Sequence, residues 1–279
     1  MALYPNVRHT NYTVPNFYIL GAAKCGTTSL AKWLGRHPDI CISRPKEPRY
    51  FTMEYHNGPE WYSKNYFPHY DGEYYMGDAS ALNLMVHFVT KRIKETSGSN
   101  AKFIVLVRNP IQRAYSFWSK YSRMRPGRET GTFDEVILEN FRLLDDNIFE
   151  TEEEFMVTAD AKGGSYRPTY IEHGMYATHI KRFQAEFGLE SVGVWTLDQL
   201  SENPKLTMNE VYKFLGVKNW CLDMSLEEEN WSSAKRTTEL PLDTMHTTTY
   251  NDLQRFYQPG VEELSNMFGI NFLEQWGFK

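Results

Sequence analysis

Asn16-Phe17-Tyr18-Ile19-Leu20-Gly21-Ala22-Ala23-Lys24-Cys25-Gly26-Thr27-Thr28-Ser29-Leu30 is the stretch that decides the fold. Asn16 to Leu20 is a short apolar run that ends at a glycine, the pattern of a buried strand. Leu30, Trp33 and Leu34 then recur at helical spacing before Gly35. The order is therefore strand, glycine-bearing loop, helix. Gly21-x-x-x-x-Gly26-Thr27-Thr28 has the glycine spacing of a phosphate-binding loop. Glycines there let backbone N–H groups reach phosphate oxygens without interference from Cβ, and a helix N-terminus points at the anion. A Walker A loop needs lysine directly after the second glycine. Here Thr27 holds that place and Lys24 lies within the loop. The apolar strand Phe103–Val107 runs into Arg108 rather than an aspartate, so the parts of Mg-nucleotide hydrolysis are missing.

Outward from the loop, Ile40–Ile42, Tyr74–Gly77 and Ser191–Trp195 read as further strands. Lys102–Val107 is the strongest strand, and its unbroken apolar character fits a central parallel strand covered on both faces. Helices are expected at about 82–94, from Pro110 to about Tyr121, and at about 133–147, 168–187 and 204–215. Pro110 suits a first helical turn. Pro259-Gly260 is expected to separate two C-terminal helices. Strands alternating with helices predict an α/β, P-loop-like three-layer fold with a central parallel sheet flanked by helices. The chain is expected to form a single domain over residues 1–279.

A chain of 279 residues buries about 75% of its unfolded surface and needs no disulfide or metal to hold together. Its 41% hydrophobic content excludes a disordered chain, and a net charge of -5 argues against a general nucleic-acid binder. Cys25, Cys41 and Cys221 are odd in number and form no zinc spacing, so they read as free thiols in a reducing compartment. There is no signal-peptide pattern and no run of 18 apolar residues. The expectation is a cytoplasmic protein with neither membrane nor nucleic acid as partner. Between Gly127 and Ser165 there are 11 acidic residues against three basic ones, with a peak at Asp145, Asp146, Glu150 and Glu152–Glu154. This segment reads as an acidic helical insertion on the sheet or a lid over it, or as a solvated acidic surface.

At the glycine loop the sequence resembles the sulfotransferase family, which uses 3′-phosphoadenylyl sulfate (PAPS) and releases 3′-phosphoadenosine 5′-phosphate (PAP). The resemblance continues through Leu34-Gly-Arg-His37-Pro38-Asp39-Ile40, Lys46-Glu47-Pro48-Arg49-Tyr50-Phe51, Val107-Arg108-Asn109-Pro110-x-x-Arg113-Ala-Tyr-Ser116, His173-Gly174-Met-Tyr176 and Gln254-Arg-Phe-Tyr-Gln-Pro259. It covers roughly residues 16–125 and 166–279 and is nearest to the heparan-type, glycan-modifying branch. It implies that Lys24, Cys25, Gly26, Thr27, Thr28 and Ser29 hold the 5′-phosphosulfate. Lys24 sits where negative charge builds on the departing oxygen. Arg108 and Ser116 take the 3′-phosphate, Tyr176 contacts adenine, and Lys235 and Arg236 belong to a loop that closes over the 3′-phosphate. Glu47 matches the general base that removes the acceptor's proton. Arg49 stands where that branch usually has histidine, which excludes a base role there. Arg49, Asp78 and His173 are candidates for touching the acceptor, with His173 a weaker alternative base. No metal is expected.

The acidic segment favours a neutral or cationic small-molecule acceptor over a polyanion. The expected function is sulfuryl transfer to a hydroxyl or amine of a small molecule, with a glycan sulfotransferase as the alternative. Two other classes stay open: a kinase or NTPase with a degenerate P-loop, and a non-catalytic nucleotide-binding protein of the same fold.

Overall fold

The apolar run Lys102–Val107 forms a strand whose residues 103–107 are fully buried. Burying five such side chains contributes on the order of 10 kcal/mol before conformational entropy is subtracted. The computed structural model describes residues 8–9, 12–124, 131–144, 151–155, 169–220 and 245–278. A small antiparallel ribbon, β1 (Arg8–His9) and β2 (Tyr12–Thr13), precedes β3 (Phe17–Gly21), α1 (Thr27–Leu34) and β4 (Ile40–Ile42). Next come α2 (Gly58–Tyr66), β5 (Tyr75–Asp78), α3 (His87–Ser97), β6 (Lys102–Val107), α4 (Pro110–Met124) and α5 (Phe133–Arg142). The remainder is α6 (Tyr176–Phe187), β7 (Val192–Thr196), α7 (Leu197–Glu202), α8 (Pro204–Leu215), α9 (Thr247–Phe268) and α10 (Phe272–Trp276).

The main sheet has the order β4-β5-β3-β6-β7, and every neighbouring pair is parallel. All five C-terminal ends therefore open onto one edge, where ligands of open α/β sheets bind. Register is held by tight side-chain fit. Gly77 on β5 pairs with Phe17 on β3, and any Cβ at Gly77 would run into the Phe17 ring. The expected parallel sheet flanked by helices is the fold observed.

Three expected helices differ from what forms. The helix expected from Leu82 begins at His87 instead. Residues 81–85 make turns, because the Leu84 N–H donates to the Leu20 carbonyl (3.1 Å) and Arg182 Nη2 donates to the Leu84 carbonyl (2.5 Å). The helix expected over 168–187 is broken, with a 3-10 turn at Glu172–Gly174 before α6. The carbonyls of Tyr170, Ile171 and Glu172 each accept a side-chain donor, from Arg113, Tyr257 and His179 respectively. Pro259-Gly260 does not separate two helices, since α9 runs through it. Proline costs one backbone hydrogen bond there. Burial of Leu253, Tyr257, Val261 and Leu264 along one face offsets that loss.

Of the acidic stretch, the peak residues Asp145, Asp146 and Glu150 lie outside the described residues. Its described parts are tied to the body. A capping box between Thr132 and Glu135 starts α5, and Phe133, Ile137 and Phe155 are buried. Arg92 Nη2 meets Glu152 Oε2 at 2.5 Å while its guanidinium lies 4.5 Å from the rings of both Tyr55 and Phe88.

Candidate active site

A cavity of about 500 Å³ lies along the C-terminal edge of the sheet. Its walls follow the strand order. Glu47 and Arg49 come after β4, Ala81 and Leu82 after β5, and Ala23, Lys24 and Gly26–Ser29 after β3. Arg108 and Gln112 follow β6, and Leu197, Asp198 and Ser201 follow β7. Phe117, Lys120 and Tyr121 of α4, with His173, complete the enclosure.

The loop after β3 wraps tightly onto α1. Gly26 takes a left-handed conformation (φ 92°) at the N-cap, which a side chain would resist. Ser29 and Leu30 N–H both donate to the Gly26 carbonyl at 3.1 Å, and the N–H groups before them have no partner within the helix. The first turn of α1 carries no acidic side chain. An anion is therefore favoured at this end by the helix dipole as well as by the N–H groups. Among the described residues, the non-glycine residues with positive φ are Lys24 (74°), Glu47 (62°) and Arg49 (57°). All three line this cavity. Left-handed backbone costs about 1–2 kcal/mol per residue and gathers at functional sites.

Arg108 sits at the end of β6, buried, with its Nη2 donating to Gln112 Oε1 (3.1 Å). Burial lowers its pKa from the ordinary guanidinium value. Behind it, the Tyr176 hydroxyl donates to the Arg108 carbonyl (3.0 Å) and lies 3.8 Å from Cys25 Sγ. Burial pushes the Cys25 thiol up, so it stays protonated and packs as an apolar group.

On the β4 side, Lys46 Nζ donates to Glu47 Oε1 at 2.8 Å. Asp78 ends β5 fully buried, accepting from the Tyr62 hydroxyl at 2.5 Å. Burial raises its pKa to about 6, against the lowering effect of that hydrogen bond and of the Lys46 charge. His173 is buried with its ring 5.2 Å from that of Phe117. Burial, then the charge of Arg113, holds its pKa well below the usual value. A histidine so strongly disfavoured as a cation is a poor acceptor of a proton.

Comparison with known proteins decides the family. A profile described as "Sulfotransferase domain" matches residues 15–240, most of the chain. The chain belongs to the sulfotransferase family. Carbohydrate sulfotransferase 15 of Mus musculus is 23% identical over 88% of this chain and 52% of its own length. Bifunctional heparan sulfate N-deacetylase/N-sulfotransferase 1 of Homo sapiens is 28% identical over 74% of this chain and 22% of its own length. The chain thus spans about half, or less, of these curated relatives. A solved sulfotransferase from Alicyclobacillus acidocaldarius is 27% identical and has a TM-score of 0.71, covering 94% of this chain and 98% of that one. A mouse sulfotransferase solved with PAP shares the fold at 12% identity and a TM-score of 0.53, over 94% of this chain and 88% of that one.

The expectation of a cytoplasmic protein is overturned by these relatives. One is named a membrane-associated sulfotransferase, from Dictyostelium discoideum, 35% identical over 37% of this chain and 22% of its own length. Others carry names of glycan-acting enzymes. Among the described residues, no helix is long and apolar enough to cross a membrane.

In this sulfotransferase the structure brings Lys24, Gly26, Thr27, Thr28, Ser29, Arg108, Glu47, Arg49 and His173 together around one cavity. Four other candidates do not line it. Cys25 and Tyr176 turn inward and meet each other behind the loop. Ser116 is buried in α4, and Asp78 is buried against Tyr62. Tyr176 spends its hydroxyl on the Arg108 carbonyl, so it braces the cavity wall. Lys235 and Arg236 lie outside the described residues. Sequence reading missed Gln112, Lys120, Tyr121, Asp198 and Ser201. The first two were within reach: Gln112, Ser116 and Lys120 recur every fourth residue along one ridge of α4, in step with Arg108 just before the helix.

Proposed function

We propose that this single-domain chain transfers a sulfuryl group from PAPS to a hydroxyl or amine of a carbohydrate acceptor. The observation that carries this reading is the placement of Lys24, Glu47 and Arg49. They share one cavity, each in left-handed backbone, beside a helix N-terminus without acidic residues. The residues fit a doubly phosphorylated nucleotide. The loop around Gly26–Thr28 offers N–H groups and hydroxyls for one anion, and Arg108 offers a buried guanidinium for another. PAPS supplies the sulfuryl group. Lys24 meets the charge that develops on the leaving oxygen, an interaction stronger in the transition state than in the ground state. Glu47 takes the acceptor's proton, and its bond to Lys46 holds the carboxylate at the cavity. Cys25 and Tyr176 support the loop and Arg108 from behind. The glycan class of acceptor is favoured by the names of the relatives, carbohydrate and heparan sulfate sulfotransferases. Of the acidic peak that pointed to a neutral or cationic small molecule, Glu152–Glu154 do not line the cavity, and the other members lie outside the described residues.

Transfer of labelled sulfate from PAPS to a panel of oligosaccharides tests this. Wild type is expected to label at least one of them. Lys24→Ala and Glu47→Gln are expected to lower the rate by about 10²-fold or more, in line with lost electrostatic and general-base catalysis. Unchanged rates in both variants reject these roles. Mg-dependent ATP binding in place of PAP binding rejects the donor.

A further inference from the structure

Glu47 and Arg49 stand in left-handed backbone, and such residues persist only where the surroundings hold them. The loop that carries them, residues 46–50, is held from one place. Asp78 ends β5, the strand between β4 and β3, and its side chain is fully buried. Three links run from it to the loop. The Tyr62 hydroxyl donates to Asp78 Oδ2 at 2.5 Å, and the Tyr62 ring stacks on that of Tyr50 with centroids 4.0 Å apart and planes 4° from parallel. Ser80, two residues beyond Asp78, accepts the Arg49 N–H on its hydroxyl at 3.3 Å. Lys46 Nζ donates to Glu47 Oε1 at 2.8 Å, and the Lys46 charge acts on the buried Asp78 carboxyl as well. The Lys46 and Glu47 side chains are 22% and 36% exposed. An ion pair so open to water is weak alone, because both ends keep their freedom. A buried carboxylate acting on the same ammonium restricts it, since charges attract more strongly where water is excluded. The other titratable groups that face Asp78 are Tyr18 of β3 and Tyr62 and Tyr66 of α2, and burial holds all three above the ordinary phenol value. Among these groups it is Asp78 that changes charge near neutral pH, at about 6.

We propose that Asp78 is a positioning residue for the general base: its negative charge fixes Lys46, and Lys46 fixes the Glu47 carboxylate at the acceptor's hydroxyl or amine. The role rests on the transfer reaction proposed above. Asp78 does not line the cavity, so it acts through Lys46 and not on the acceptor. Neutralising it leaves Lys46 and Glu47 as an ordinary surface pair. A reacting group displaced by about 1 Å loses up to about 10²-fold in rate.

Sulfate-transfer kinetics from about pH 5 to pH 8, on the acceptor that wild type labels best, test this. Asp78→Asn keeps an oxygen for the Tyr62 hydroxyl and removes the charge. Wild-type kcat is expected to rise as Asp78 ionises, in a step near pH 6. Asp78→Asn and Lys46→Met each remove that step and lower kcat at the alkaline end about 5- to 50-fold. The double variant stays within about twofold of the slower single one, because the two residues act in series. PAP affinity, read by calorimetry, stays within about twofold in every variant. A merely structural Asp78 would move stability and leave the pH profile in place. The proposal is overturned by a step that survives either substitution, or by losses that multiply in the double variant. If Asp78→Asn does not fold, Lys46→Met decides alone by the same step. A wild type that transfers sulfate without the step rejects this role and leaves the transfer reaction standing. A wild type that binds PAP but labels no acceptor rejects the transfer reaction, and this role with it.

Discussion

Replacing Asp78 with asparagine isolates the energetic cost of one buried carboxylate beside the active site. Asp78 is fully buried at the end of β5, and burial raises its pKa from 3.8 to about 6. The folded state therefore binds this proton more tightly than the unfolded chain does. The stability linked to Asp78 is full below pH about 4 and is lost as pH rises through about 6. A shift of about two units corresponds to about 3 kcal/mol, all of it lost by pH 8. Asparagine keeps an oxygen that accepts from the Tyr62 hydroxyl, so the 2.5 Å contact has a neutral substitute. The difference in unfolding free energy between Asp78→Asn and wild type is expected to move by about 3 kcal/mol in favour of the variant between pH 4 and pH 8. For a chain of this size that is a relative gain in Tm of roughly 5–10 °C. Denaturant unfolding at pH 4, 5, 6, 7 and 8 measures it. Parallel stability curves across the whole range would refute the reasoning.

Other variants test separate links. Lys24→Gly is expected to keep or raise stability by up to about 1 kcal/mol, because glycine accepts φ 74° without strain, while sulfate transfer collapses. Thermal unfolding beside the transfer assay checks both. Arg108→Gln is expected to weaken PAP binding about 10- to 100-fold, the worth of charge-assisted hydrogen bonds of about 1.5–3 kcal/mol, as read by calorimetry. Tyr176→Phe removes the hydroxyl from the Arg108 carbonyl and should cost about 1 kcal/mol of stability, with PAP affinity changed less than tenfold. Gly77→Ala forces a methyl into the Phe17 ring and is expected to cost about 1–3 kcal/mol in denaturant unfolding.

The end of this site proposed to bind phosphate is legible in the sequence because it is local. A strand, a glycine pair and the first turn of a helix are consecutive in the chain, and the apolar run ending at Arg108 needs no partner to be recognised. The rest of the cavity wall is assembled from distant segments, so its members carry no common spacing. Asp198 and Ser201 come into the cavity only because β7 lies beside β6 in the sheet. Tyr176 shows the converse error. An aromatic residue at a suggestive position is consumed by the wall, because its hydroxyl finds a buried carbonyl before it finds a ligand. The turns at 81–85 and the helix through Pro259 escaped sequence reading for a shared reason. Tertiary hydrogen bonds from Arg182 in one case, and a long buried face in the other, outweigh local preference.

A crystal structure of the protein soaked with PAP tests the central claim most directly. The account predicts the 5′-phosphate on the N–H groups of Gly26, Thr27 and Thr28 with Lys24 beside it, and the 3′-phosphate on Arg108. A nucleotide seated elsewhere with this loop vacant, or one whose phosphates avoid both Lys24 and Arg108, would contradict it.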